Sequence, residues 1–199
     1  MQIRGLISTI LIIVILLLSG CISTAPPATS ATIAPTQPAY LTPQASPSGF
    51  TISVDTLTTG SLLPDAHTCK GAGESPEVSW DGIPAGTKSL VLIMDDPDAP
   101  NGRFTHWIVY NIPPVSGELA RAQPNAKVLA NGAQQGDTSA GSRGYYPPCP
   151  QIGTTHRYIF RLYAVDMDIT QPTADRDSID WALTGHTIAE TKFTTTFTR

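Results

Sequence analysis

A mainly β fold, an antiparallel sandwich carrying one late helix, is what the sequence predicts. Three observations point to it. Leu90 to Met94 is a continuous apolar run, as expected of a strand covered on both faces, and Phe104 to Ile112 returns from it across a tight acidic turn. Thr155 to Asp166 alternates, with His156, Tyr158, Phe160, Leu162 and Ala164 on one face and Arg157, Ile159, Arg161, Tyr163 and Val165 on the other. One segment, Ser178 to about Ile188, places Ile179, Ala182, Leu183 and His186 at helical spacing, with Ser178 as its cap. Many strands and one late helix argue a β-sandwich with helical decoration.

Residues 1–20 are not part of that fold. Arg4 gives a short positive start, and Leu6 to Leu18 is an apolar stretch short for a membrane span. Leu18-Ser19-Gly20-Cys21 then resembles a prokaryotic lipoprotein signal, with Cys21 the lipidated residue after cleavage. A retained anchor helix is the plainer alternative, and either places the body on a membrane, facing outside the cytoplasm. Residues 21–48 form a linker rich in Pro, Thr, Ser and Ala without a single charge. Such a stretch has no periodic apolar face to order it and reads as a semi-extended spacer.

The domain proper spans 49–199, an ordinary size for one domain. Phe50 to Val54 alternates and is rich in β-branched residues, which reads as a strand. Leu63 to Pro76 is turn-rich, and Val78-Ser79-Trp80 is a short strand stopped by Asp81-Gly82-Ile83-Pro84. Pro97, Pro100 and Asn101-Gly102 fix the turn between the two central strands. Residues 113–154 read as one long loop, a length usually tied to function. Thr191 to Phe197 closes the chain as a strand.

Loss of Arg4 with the signal reduces 12 basic residues to 11 against 16 acidic, a balance of −5 that leaves no basic footprint for nucleic acid. With Cys21 lipidated, Cys69 and Cys149 remain as a pair. Outside the cytoplasm they form either a disulfide or two buried thiols, and both readings stay open. No CxxC or CxxH spacing suggests structural zinc, and no GxSxG elbow, phosphate-binding loop or HExxH marks an enzyme.

Several motifs in fixed order carry a resemblance: Ser75-Pro76 with Val78-Ser79-Trp80, Asp96-Pro97-Asp98-Ala99-Pro100, His106-Trp107, Gly144-Tyr145 with Pro148-Cys149-Pro150, and Gly153 before His156-Arg157-Tyr158. Together they resemble the phosphatidylethanolamine-binding protein family, which includes the Raf kinase inhibitor protein, and most closely its bacterial and archaeal branch. Gly185 to Glu190 is similar to the C-terminal helix of that branch. The resemblance implies a Greek-key β-sandwich with a small anion-binding pocket. Its wall would be Asp96, Ala99, Pro100, His106, Pro148, His156 and Tyr158, with Gly144 and Tyr145 opening the loop beside it. Pro147 replaces a family glycine and removes an N–H, and Asp137 to Gly141 replaces the usual Asn-Asp-Phe.

His106, His156 and the Tyr158 hydroxyl are donors an anion needs when the imidazoles are suitably protonated. Asp96 either orients a histidine or accepts from a ligand ammonium or hydroxyl. Asp98, on the far strand face, is expected to pair with Arg157. Asp95 is expected to cap the turn. His67 and His186 are read as structural, and Trp80, Trp107 and Trp181 as packing residues. The expected function is capture of a small anion or phospholipid headgroup by a lipid-anchored protein that needs no cofactor and no metal. The alternatives are inhibition of a secreted peptidase through the loops from Leu119 to Gln151, and, less favoured, a metal-dependent hydrolase using Asp96, Asp98, His106 and His156.

Overall fold

The computed structural model describes residues 49–170 and 174–199, so the expected signal peptide, the lipidated Cys21 and the linker lie outside the described residues. Within them, eight strands form two antiparallel sheets. The strands are β1 (Thr51–Val54), β2 (Val78–Asp81), β3 (Ser89–Asp96), β4 (Phe104–Ile112), β5 (Gly117–Leu119), β6 (Gln134–Gln135), β7 (Thr155–Val165) and β8 (Thr187–Thr198). The smaller sheet runs β1-β2-β5 and the larger β6-β4-β3-β7-β8. Helix α1 (Arg176–Leu183) follows β7. No helix among the described residues is long and apolar enough to cross a membrane.

Strand β3 is buried at every position, and its two faces meet different partners. Leu90, Leu92 and Met94 pack with Val54, Val78 and Trp80 in the core between the sheets. Val91 and Ile93 pack with Ile108, Ile179 and Leu183 under α1. The apolar run is continuous because a sheet covers one side and a helix the other. Each such side chain contributes roughly 1.5–3 kcal/mol on burial. The same period of two separates the adjacent carboxylates. Asp95 does not cap the turn: it lies in β3 and is 1% exposed. It accepts from Thr105 Oγ1 at 2.8 Å and lies 3.2 Å from Arg176 Nη2 and 3.4 Å from Arg161 Nη1. Asp96 turns the other way.

Several sequence expectations are corrected. The stretch 113–154 is not one loop, because β5 pairs with β2 and β6 with β4. The helix cap is Asp175, whose side chain accepts from Ser178 N–H at 2.8 Å. The helix ends at Leu183, and Gly185 sits at φ +79°, a conformation glycine takes readily. His186 is therefore off the helix, and the Gly185–Glu190 segment leads into β8 rather than forming a helix. Trp181 is 72% exposed, whereas Trp80 and Trp107 are buried. His67 and His186, read as structural, each pair with a carboxylate: His67 Nε2 lies 2.9 Å from Asp55 Oδ2, and His186 Nδ1 lies 2.8 Å from Asp166 Oδ1. Cys69 and Cys149 are joined as a disulfide, with their Cα atoms 5.4 Å apart.

Candidate functional site

Three neighbouring strands of the larger sheet, β4, β3 and β7, reach the same end of the molecule, where Phe104 opposes Asp96 across the β3–β4 ladder. There a cavity of about 410 Å³ opens. It is lined by Asp96, Ala99, Pro100, His106 and His156, all expected from the sequence, and also by Phe104, Ala140, Tyr146, Cys149, Pro150 and Gln151.

A break in the strand register aims His106. Met94 opposes Trp107, but the next residue, Asp95, opposes Thr105, so His106 is the extra residue of a bulge. In a regular strand His106 and Trp107 would face opposite ways. The bulge lets Trp107 enter the inter-sheet core while His106 turns to the cavity, with its ring 5.3 Å from that of Tyr158 in an edge-on contact. Phe104, two residues earlier, stacks at a tilt on His106 with centroids 4.7 Å apart.

Both imidazoles are held through Nδ1. His106 Nδ1–H donates to the Tyr146 carbonyl at 2.8 Å. His156 Nδ1–H donates to Asp96 Oδ2 at 2.7 Å. Carbonyl and carboxylate oxygens only accept, so the proton sits on Nδ1 in each ring and Nε2 is left for the cavity. Asp96 is fixed at its other oxygen by the Asp98 N–H at 2.8 Å. It thus orients His156, the role carboxylates play behind imidazoles elsewhere. Burial holds His106 below the ordinary imidazole pKa, against the opposing pull of the Tyr146 carbonyl and the Asp96 charge.

Asp98 faces away from the cavity as expected and clamps Arg157, with Oδ2 accepting from Nε at 2.9 Å and Oδ1 from Nη2 at 2.6 Å. The guanidinium holds the Asp98 carboxyl down at about 2. Tyr158 does not line the cavity. Its ring is fully buried beside His106, and its hydroxyl finds no hydrogen-bond partner among the described residues. Burial first, then the charges of Asp96 and Asp98, keep that phenol protonated.

Two other expected residues stand outside the cavity. Pro148 is buried behind the wall, where its carbonyl accepts from Cys69 N–H at 3.0 Å. Gly144 sits at φ +89° against Asn125, whose side chain occupies the place a Cβ would need. Its neighbour Tyr145 packs edge-on against Trp107 and donates its hydroxyl to the His67 carbonyl at 2.8 Å. The wall residue is instead Tyr146. Among the described residues no group of three or more His, Cys, Asp or Glu side chains is clustered for a metal.

Comparison with known proteins agrees with this architecture. The family model of the phosphatidylethanolamine-binding protein matches residues 53–198. A UPF0098 protein of Methanothermobacter thermautotrophicus is 46% identical over 132 residues, covering 65% of this chain and 86% of the relative. A Mycobacterium tuberculosis protein named provisionally as the lipoprotein LppC is 39% identical over 132 residues, covering 66% of this chain and 63% of the relative. The crystal structure of a phosphatidylethanolamine-binding protein homologue from Chlamydia trachomatis superposes with a TM-score of 0.69 at 34% identity, covering 76% of this chain and 98% of that one. Escherichia coli YbcL, described as a member of the mammalian family, gives a TM-score of 0.69 at 28% identity over 76% of this chain and 99% of its own. The strand order, the DPDAP turn, the two histidines and these matches lead to one conclusion: the chain belongs to the phosphatidylethanolamine-binding protein family.

Proposed function

We propose that the domain captures a small anion, or the phosphate-bearing end of a larger ligand, while tethered to a membrane outside the cytoplasm. The carrying observation is that His106 and His156 both spend Nδ1 on the protein and keep Nε2 for one hollow. Protonated, those two nitrogens become donors converging on one guest, and charge-assisted bonds of this kind are about twice as strong as neutral ones. Asp96 has both oxygens engaged already, which favours its orienting role over direct contact with a ligand ammonium. Binding fits a site whose described lining offers an oriented imidazole pair, with Cys149 held in a disulfide rather than free as a nucleophile. The tether rests on the Cys21 signal and on the name carried by the mycobacterial relative.

Sulfate is the cleaner probe, because its charge does not change in the range where imidazole titrates. Thermal unfolding of the full chain with sulfate, then with phosphoethanolamine, is expected to show protection that grows as the pH falls below about 6.5. At a ligand concentration of about 100 times Kd the stabilisation is about 2.7 kcal/mol. His106→Ala removes it. Equal protection of wild type and His106→Ala, or none in either, sinks the reading.

A further inference from the structure

The wall formed by residues 146–151 is held unlike the strands around it. Pro147, Pro148 and Pro150 have no amide hydrogen, so within 147–151 only Cys149 and Gln151 have one to give. A segment so poor in donors cannot be laced down by a ladder. Tyr146 N–H donates to the His106 carbonyl at 2.8 Å at one end, and Thr154 N–H closes a turn on the Gln151 carbonyl at 3.0 Å at the other. Between them, two tethers run to the turn that follows Asp65–His67: the Cys69 N–H to Pro148 carbonyl bond at 3.0 Å, and the Cys69–Cys149 disulfide. Both cysteines are exposed, and Cys149 itself lines the cavity. Exposed disulfides are the ones open to thiol exchange, whereas buried structural ones resist it.

We propose that the Cys69–Cys149 bond is a latch on the cavity wall that a dithiol opens, and that opening it frees the wall and weakens anion capture; the second half rests on the function proposed above. The exchange balances without further reagents. A dithiol thiolate attacks the exposed Cys149 sulfur, and Cys69 leaves as a thiolate. The dithiol's second sulfur then closes on its first and releases Cys149. The protein gains two electrons and two protons, and the dithiol becomes its cyclic disulfide. Freed at Cys149, the proline-rich segment keeps only hydrogen-bonded tethers and holds the Tyr146 carbonyl less firmly against His106 Nδ1, so the acceptor that fixes the imidazole tautomer loosens.

Dithiothreitol added to the native full chain, without denaturant, tests this. The thiols of Cys69 and Cys149 are expected to appear, and exchange of the Tyr146 amide to speed by roughly ten-fold or more, with amides of β3 and β7 remaining the slowest in the domain. Sulfate affinity measured at acid pH is expected to weaken by a similar factor. Cys149→Ser reproduces both changes without reagent. Three results overturn the latch: no native reduction, a Tyr146 amide indifferent to it, or β3 and β7 amides exchanging as fast as that of Tyr146, since reduction would then open the whole fold. Unchanged sulfate affinity beside a loosened Tyr146 overturns the coupling. An oxidised protein that binds no sulfate, yet loosens at Tyr146 on reduction, keeps the latch and discards the anion reading instead.

Discussion

His106 shows most clearly how single residues at the site trade stability against readiness to bind. Burial lowers its pKa in the folded chain, while the unfolded chain has the ordinary value of about 6.5. Between those two values the unfolded state binds more protons, so stability falls as the pH drops through that window and levels off below the folded pKa. An anion that favours the charged ring reverses part of that loss. We expect His106→Gln to flatten the acid slope of stability beneath about pH 6.5, measured by urea unfolding at several pH values without sulfate. An unaltered slope would place its origin elsewhere. Much of this was legible at the level of residues: Asp98 with Arg157 follows from strand alternation, and Asp96 beside a histidine follows from the motif. Tyr146 was not, because nothing periodic runs through a proline-rich wall to say which of two adjacent tyrosines faces the cavity and which enters the core. Phe104 was within reach, being two positions before His106 on one strand.

Elements were legible where a pattern repeats and illegible where one residue breaks it. The alternation of β7 and the apolar run of β3 gave their positions and their faces. The bulge at His106 leaves no trace in the apolar pattern, yet it lets two consecutive residues face inward. Strands β5 and β6 are 3 and 2 residues long, too short for any period to show. At α1 the spacing of Ile179, Ala182 and Leu183 identified the buried face, but two capping residue types lie three apart, and the cap is the earlier one. Asp175 accepts the Ser178 N–H, which satisfies one of the unpaired donors of the first turn. Asp175→Ala should therefore cost about 1 kcal/mol, whereas Ser178→Ala should cost clearly less. Chemical denaturation of the two variants decides between them, and a larger loss at Ser178 would return the cap to that residue.

At the scale of the molecule, one covalent bond joins parts of the chain that the sheets alone hold by different means. Cys69 follows the short turn after Asp65–His67, and Cys149 lies 80 residues further on, in the wall of the cavity. The segment between them contains β2 to β6, hence most of both sheets. A cross-link closing a loop of that length removes entropy from the unfolded chain, worth about 4.5 kcal/mol in the loop-closure model. Domains of this size have about 5–15 kcal/mol in all, so the reduced protein should remain folded but become markedly easier to unfold. The native contacts of β3, β4 and β7 do not include the bond, because neither cysteine belongs to their ladders or to either core. Urea unfolding of oxidised and reduced protein is thus expected to differ in midpoint by the equivalent of about 4.5 kcal/mol, with a steeper dependence on urea for the reduced form, whose unfolded chain exposes more surface. A loss far below that figure would mean that the bond strains the native wall as much as it restrains the unfolded chain. A single-step collapse on reduction in plain buffer would mean that the sandwich cannot stand without it.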